Sequence, residues 1–202
     1  MCMCLQFAKR GYNITMQFDG QQSDEKVLTV ITPHITRFIF SLATVSIVFL
    51  FIMVIMFSIA SFIPLIATPV KTIATLISLS VLAIAIWWLW KTQTSDKTYI
   101  TDRRIIRFDV VTPFFTNKRA LFWNEVLKVK AYANNMMLRL MKIGILQIEP
   151  VAAEQESIII SDIYYHEDLA NYIDKIIFAF KNKPEEINSM KPFVPLPKGK
   201  RG

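Results

Sequence analysis

Apolar residues run without a charge from Phe38 to Val70 and again from Thr72 to Trp90, with Lys71 alone between the two stretches. A helix rises about 1.5 Å per residue and a bilayer core is about 30 Å thick, so roughly 20 apolar residues cross it. The second run matches one crossing. The first exceeds one, but Pro64 and Pro69 punctuate it, and proline removes a backbone donor and disfavours helix at the residue before it. The pattern predicts transmembrane helix 1 over 38–63, a turn over 64–71 and transmembrane helix 2 over 72–90.

From Lys97 the period changes to two, with turn residues between short apolar runs. Tyr99–Asp109 reads as a strand or bent strand pair, with Ile106 and Phe108 on one face and Arg103, Ile105 and Arg107 on the other. Thr112-Pro113 and Thr116-Asn117-Lys118 read as turns. Ala120–Ala133 alternates, placing Leu127, Val129 and Ala131 on one side; Leu146–Ile148 and Ser157–Ile163 supply further strands. Then Leu169, Tyr172, Ile173, Ile176, Ile177 and Phe180 recur at helical spacing, and Pro184 ends that helix. Ahead of the membrane runs, the segment 18–37 carries a strand pattern at Lys26–Thr32, expected to pair beside Tyr99–Arg104. The fold class expected is a membrane α-helical hairpin plus a small mainly-β domain over 97–183, a barrel or sandwich with a C-terminal capping helix.

Charge sets the expected orientation. Lys26, Arg37, Lys91, Lys97, Arg103, Arg104 and Arg107 flank the two runs on the terminal sides, against Lys71 in the turn. Basic flanks stay in the cytoplasm, so both termini are expected inside, in a multi-pass inner-membrane protein. Trp87, Trp88 and Trp90 before Lys91 read as an interfacial anchor, since indole rings settle at headgroup level. No acid, base or histidine lies inside either run, which argues against an ion or proton path made by this chain alone.

The chemistry-bearing residues are sparse. His34 and His166 are the two histidines, far apart in sequence, and read as an interfacial and a capping residue. Cys2 and Cys4 cannot build a disulfide framework or a closed zinc site. No phosphate loop, nucleophile elbow or metal-binding histidine pair is present in the sequence. No catalytic residue, metal or cofactor is expected, and no enzyme. A pI near 9.4 follows from the positive flanks, and without aromatic–basic interleaving no nucleic-acid partner is expected, nor a small-molecule substrate. The candidate contact set for lipid or a partner is Arg103, Arg104, Arg107, Lys128 and Lys130. A disordered leader is expected over 1–17, with translation from Met16 as an alternative start, and a basic, proline-containing disordered tail over 184–202.

The stretch Lys97-Thr-Tyr-Ile-Thr-Asp-Arg-Arg-Ile-Ile-Arg-Phe, then Phe122-Trp123-Asn124-Glu125-Val126, then Leu138–Ile148 with Gly144, resembles the bacterial pleckstrin-homology (YdbS-like) domain family. Phe18-Asp19-Gly20-Gln21, Asp24–Leu28 and His34 are similar to its pre-membrane segment. Pro113 with Phe114 and Phe115 departs from the glycine-containing turn of the family. The resemblance implies a pleckstrin-like barrel with a C-terminal helix at the inner face of the bacterial cytoplasmic membrane, without catalytic residues. The expected function is a non-enzymatic scaffold or accessory module whose partners are the lipid bilayer and a protein or a second copy of the chain. The alternative is an anionic-lipid headgroup sensor or transport accessory subunit.

Overall fold

The computed structural model describes residues 17–62, 67–152, 154–187 and 189–194. The predicted leader up to residue 16, residues 63–66 of the predicted turn and the tail from 195 lie outside them. Strand β1 (Val27–Ile31) leads into two helices, α1 (Ile35–Ser61) and α2 (Ala67–Ser95), which pack along one another. Both are long and apolar enough to cross a membrane, over Ile35–Ile59 and Lys71–Ser95, and neither stretch is buried within the protein. A core helix of a water-soluble domain would be covered; here Ile47, Phe51 and Leu76 stand more than half exposed.

Several hydroxyls on these helices bond back to their own backbone. Thr44 donates to the Phe40 carbonyl at 2.9 Å, and Ser58 and Ser61 donate to Val54 and Phe57 at 2.8 Å. Backbone-directed bonding of this kind keeps these hydroxyls paired in an apolar medium. Helix α2 starts before the predicted 72, because Pro69 occupies its first turn, where a missing N–H forfeits no intrahelical bond. At the other end it runs on past Trp90 to Ser95 and passes directly into the sheet.

Beyond the helices come β2 (Lys97–Thr101), β3 (Arg104–Thr112), β4 (Phe115–Phe122), a 3-10 turn at Trp123–Glu125, β5 (Val126–Tyr132), α3 (Met136–Leu140), β6 (Ile143–Pro150), β7 (Ile158–Tyr164), α4 (His166–Asn182) and α5 (Pro184–Ile187). They form two antiparallel sheets, β1-β2-β3-β4 and β5-β6-β7, with no ladder joining them among the described residues. The architecture is a pair of sheets rather than a closed barrel. Strand β1 pairs with β2 across the whole helical excursion, Val30 opposite Tyr99 and Ile31 opposite Thr98.

Ile100, Ile105 and Leu121 from the first sheet meet Leu146, Ile148, Ile158 and Ile160 from the second, and α4 closes the core with Leu169, Ile173 and Ile176. Each apolar side chain so buried contributes about 1.5–3 kcal/mol. Trp123 is fully buried among them, its indole N–H donating to the Thr101 carbonyl at 3.0 Å. That turn breaks the run 120–133, which alternation alone presents as a single strand.

Other local expectations shift for definable reasons. Thr116, Asn117 and Lys118 are not a turn but part of β4, opposite Val110, Asp109 and Phe108. Leu127 does not share a face with Val129 and Ala131: a bulge between Val126 and Lys128 turns it out to solvent. The chain after Pro184 does not leave the domain at once. Ile187 is buried, Met190 and Phe193 pack against the core, and the Tyr172 hydroxyl donates to the Lys191 carbonyl at 3.0 Å.

Candidate functional site

A buried ionic joint lies where the helices meet the sheets. Asp96, between α2 and β2, is almost fully buried and faces two guanidiniums: Arg37 of α1 at 2.8 Å and Arg107 of β3 at 3.7 Å. Burial pushes the Asp96 carboxyl above its ordinary range, while Arg107 and Arg37 pull it back in part. Arg107 also pairs with Asp109 at 3.2 Å. Beside this triad the Gln93 amide donates to the carbonyls of Pro33 and His34, both at 3.3 Å, so the start of α1 is tied to the end of α2.

His34 caps α1, its imidazole nitrogen Nδ1 accepting from the Thr36 N–H at 3.3 Å. Burial lowers its pKa, and the nearby Asp162 carboxylate opposes that. Its own N–H donates to the Asp162 carbonyl at 2.7 Å, and its ring stacks on Tyr164. Asp162 can reach it because β7 bulges: Ile163 pairs with Gly144 but Ile160 with Leu146, and Asp162 takes a left-handed φ of 59°. One helix is thereby fastened to the second sheet, the other to the first.

A second ionic site holds the pre-membrane segment. Glu25, 4 % exposed, takes a two-pronged grip from Arg104, Nε at 2.8 Å and Nη2 at 2.7 Å, and accepts from the Thr101 hydroxyl at 2.8 Å. Burial raises the Glu25 pKa, but the bonds from Arg104, Thr101 and the Gln22 N–H outweigh it and hold the carboxyl below its usual value. Phe18 packs on Tyr99 at 5.0 Å between ring centres, with the Lys118 ammonium over its ring.

The five basic candidates do not form one free patch. Arg104 and Arg107 are consumed by Glu25 and by Asp96 and Asp109. Lys128 and Lys130 lie on the other sheet and share Glu149, Lys128 at 3.1 Å and Lys130 closer still. Arg103, hydrogen-bonded to the Gln22 side chain at 3.0 Å, lines a shallow cleft with Phe122, Asn124 and Phe180. The tryptophans occupy the sheet-facing end of α2: Trp90 meets Phe38 edge-on at 6.0 Å, and Trp87 meets Phe114 at 6.3 Å. Among the described residues no group of three or more His, Cys, Asp or Glu could hold a metal ion. Searched against protein-family models, curated proteins and solved structures, the chain matches none.

Periodicity does not single out Asp96, Glu25 or Asp162. One signal was available: Asp96 is the lone acid between Glu25 and Asp102, placed where an apolar run gives way to a strand. A carboxylate there needs partners, and Arg37 and Arg107 are the flanking cations in reach.

Proposed function

We propose that this chain is a non-enzymatic, membrane-anchored interaction module: a two-span hairpin that presents a rigidly mounted β domain to a protein partner or to a second copy of itself. The observation that carries the reading is the Arg37–Asp96–Arg107 junction together with the β1–β2 ladder. A flexible tether would serve merely to keep a domain near the membrane. A buried ionic joint and a strand shared across the hairpin fix the pose of the domain, which suits a scaffold or accessory subunit.

The start of α1 and the end of α2 both abut the sheets, so a spanning hairpin places its two flanks on one side. The basic flanks favour the cytoplasmic side of a bacterial inner membrane. A pleckstrin-homology-like, YdbS-like assignment is part of the proposal, supported by the quoted sequence resemblance and by seven antiparallel strands followed by a packed C-terminal helix. The headgroup-sensor alternative is disfavoured by the ion pairs that hold Arg104 and Arg107.

The test uses full-length protein in native membranes, with photo-crosslinkers placed at exposed domain positions. Discrete adducts at a subset of positions, to one protein species or to the chain itself, support the module. Absence of protein adducts, with binding that instead tracks anionic-lipid content in vesicles, would overturn it in favour of the sensor. Protease added outside spheroplasts that digests the β domain would reverse the orientation.

A further inference from the structure

The loop joining β3 to β4 has the wrong surface for a water-facing turn. From Val110 to Thr116 it carries no charge, and Val111, Phe114 and Phe115 are 59 %, 75 % and 71 % exposed. A bulge at Val111 and the pairing of Thr112 with Phe115 leave Pro113 and Phe114 at the apex. This apex sits against α2. The Phe114 ring lies 6.3 Å from that of Trp87.

The position of Trp87 gives the apex a depth. It precedes Lys91 by four residues, about 6 Å along a helix at about 1.5 Å per residue, on the apolar side of that cation. The strand geometry agrees. Arg107 is held at Asp96, and from Arg107 to Thr112 β3 covers about 17 Å at about 3.3 Å per residue. From Asp96 back to Trp87 α2 covers about 14 Å. The hairpin runs down alongside the last turns of α2 until its tip reaches the tryptophan level.

We propose that the β3–β4 tip is a third membrane contact, with Val111, Phe114 and Phe115 inserted into the interfacial layer of the leaflet that holds Trp87. The occupant of this apolar surface is lipid, because the tip is continuous with the aromatic belt of a span and exposes rings at the same depth. The contact would hold the β domain down on the bilayer and reinforce the pose set by the ionic joint. It rests on the membrane-anchored reading.

The experiment places an environment-sensitive fluorophore at Phe114→Cys in full-length protein carrying Cys2→Ser and Cys4→Ser, reconstituted in phosphatidylcholine–phosphatidylglycerol vesicles. A control label goes at Glu185→Cys, in α5 at the far end of α4. The expected result is blue-shifted emission at 114, quenched at least threefold more by a shallow lipid spin label than emission at 185. Equal quenching at 114 and 185, with the intrinsic tryptophans still quenched by brominated lipid, overturns the tip contact and leaves the anchor standing. Blue-shifted emission that lipid probes do not quench means the tip is covered by protein, and also overturns it. Tryptophans and label both indifferent to lipid quenchers would overturn the anchor itself.

Discussion

Asp96 accepts a 2.8 Å hydrogen bond from Arg37, linking the end of the second helix to the first turn of the first, 59 residues earlier. The carboxylate is 6 % exposed and Arg107, its other partner, 9 %. Removing Asp96 leaves the nearly buried Arg107 with Asp109 as its remaining acidic partner and frees Arg37 to solvent. Asp96→Ala should therefore destabilise the domain by about 2–4 kcal/mol, less than a fully buried pair because Arg37 reaches solvent. Chemical denaturation in detergent, followed by the buried Trp123, would measure it. A loss below about 0.5 kcal/mol would show that the joint carries no strength.

The two buried carboxyls respond to pH with opposite sign. The folded pKa of Glu25 is depressed, so its contribution is full above about pH 4.5, its ordinary value, and is lost as pH falls through the folded value. The folded pKa of Asp96 is raised, so its ionisation weakens the fold as pH climbs from its ordinary value through the raised one. Hydrogen-exchange protection along Leu28–Ile31, measured relative to the intrinsic rate at each pH, should fall below pH 4.5 in the wild type and lose that dependence in Glu25→Gln. Retention of the same acid response in the variant would refute the assignment.

Gly144 has no room for a side chain. A Cβ there would lie 2.5–2.6 Å from three atoms of the His166 ring, itself buried. Gly144→Ala should cost about 1–3 kcal/mol, the usual penalty for overpacking. His166→Ala in the same chain should recover most of it, and a double-mutant cycle is the measurement. Additive losses would mean the two sites do not communicate.

Ile173 is fully buried beneath the sheets. Ile173→Asp places a charge in that core without a partner and should cost more than about 4 kcal/mol, enough to unfold the β domain. The helices do not contribute to this core, so under the membrane-anchored reading carbonate-resistant membrane association should persist while the domain becomes protease-sensitive. Loss of both together would show that the anchor cannot stand alone.

Much of this architecture is legible in the chain because solvent differences are large and periodic. Two charge-poor runs announce the hairpin, the stripe from Leu169 to Phe180 announces α4, and the strand pattern at Lys26–Thr32 announces β1. What escaped was set by single-residue departures from period. A bulge reverses Leu127, a 3-10 turn at Trp123 divides β4 from β5, and a second bulge aims Asp162 at His34. The basic residues are less legible for another reason: sequence counts cations but does not reveal which acids they face. Glu25, Asp96 and Asp109 pair with Arg104 and Arg107, Lys128 and Lys130 share Glu149, and the most exposed phenylalanine rings of the β domain, Phe114 and Phe115, sit in a stretch that reads merely as a turn.

Because β1 is spelled out before the helices and its ladder partner β2 after them, the first sheet cannot be completed while the ribosome is still making the hairpin. Strand β1, synthesised first, must wait without its ladder partner until β2 has emerged behind the helices. Deleting the chain through the end of α2 would remove β1 as well, leaving β2-β3-β4 with the β2 edge bare and adhesive instead of a smaller version of the protein.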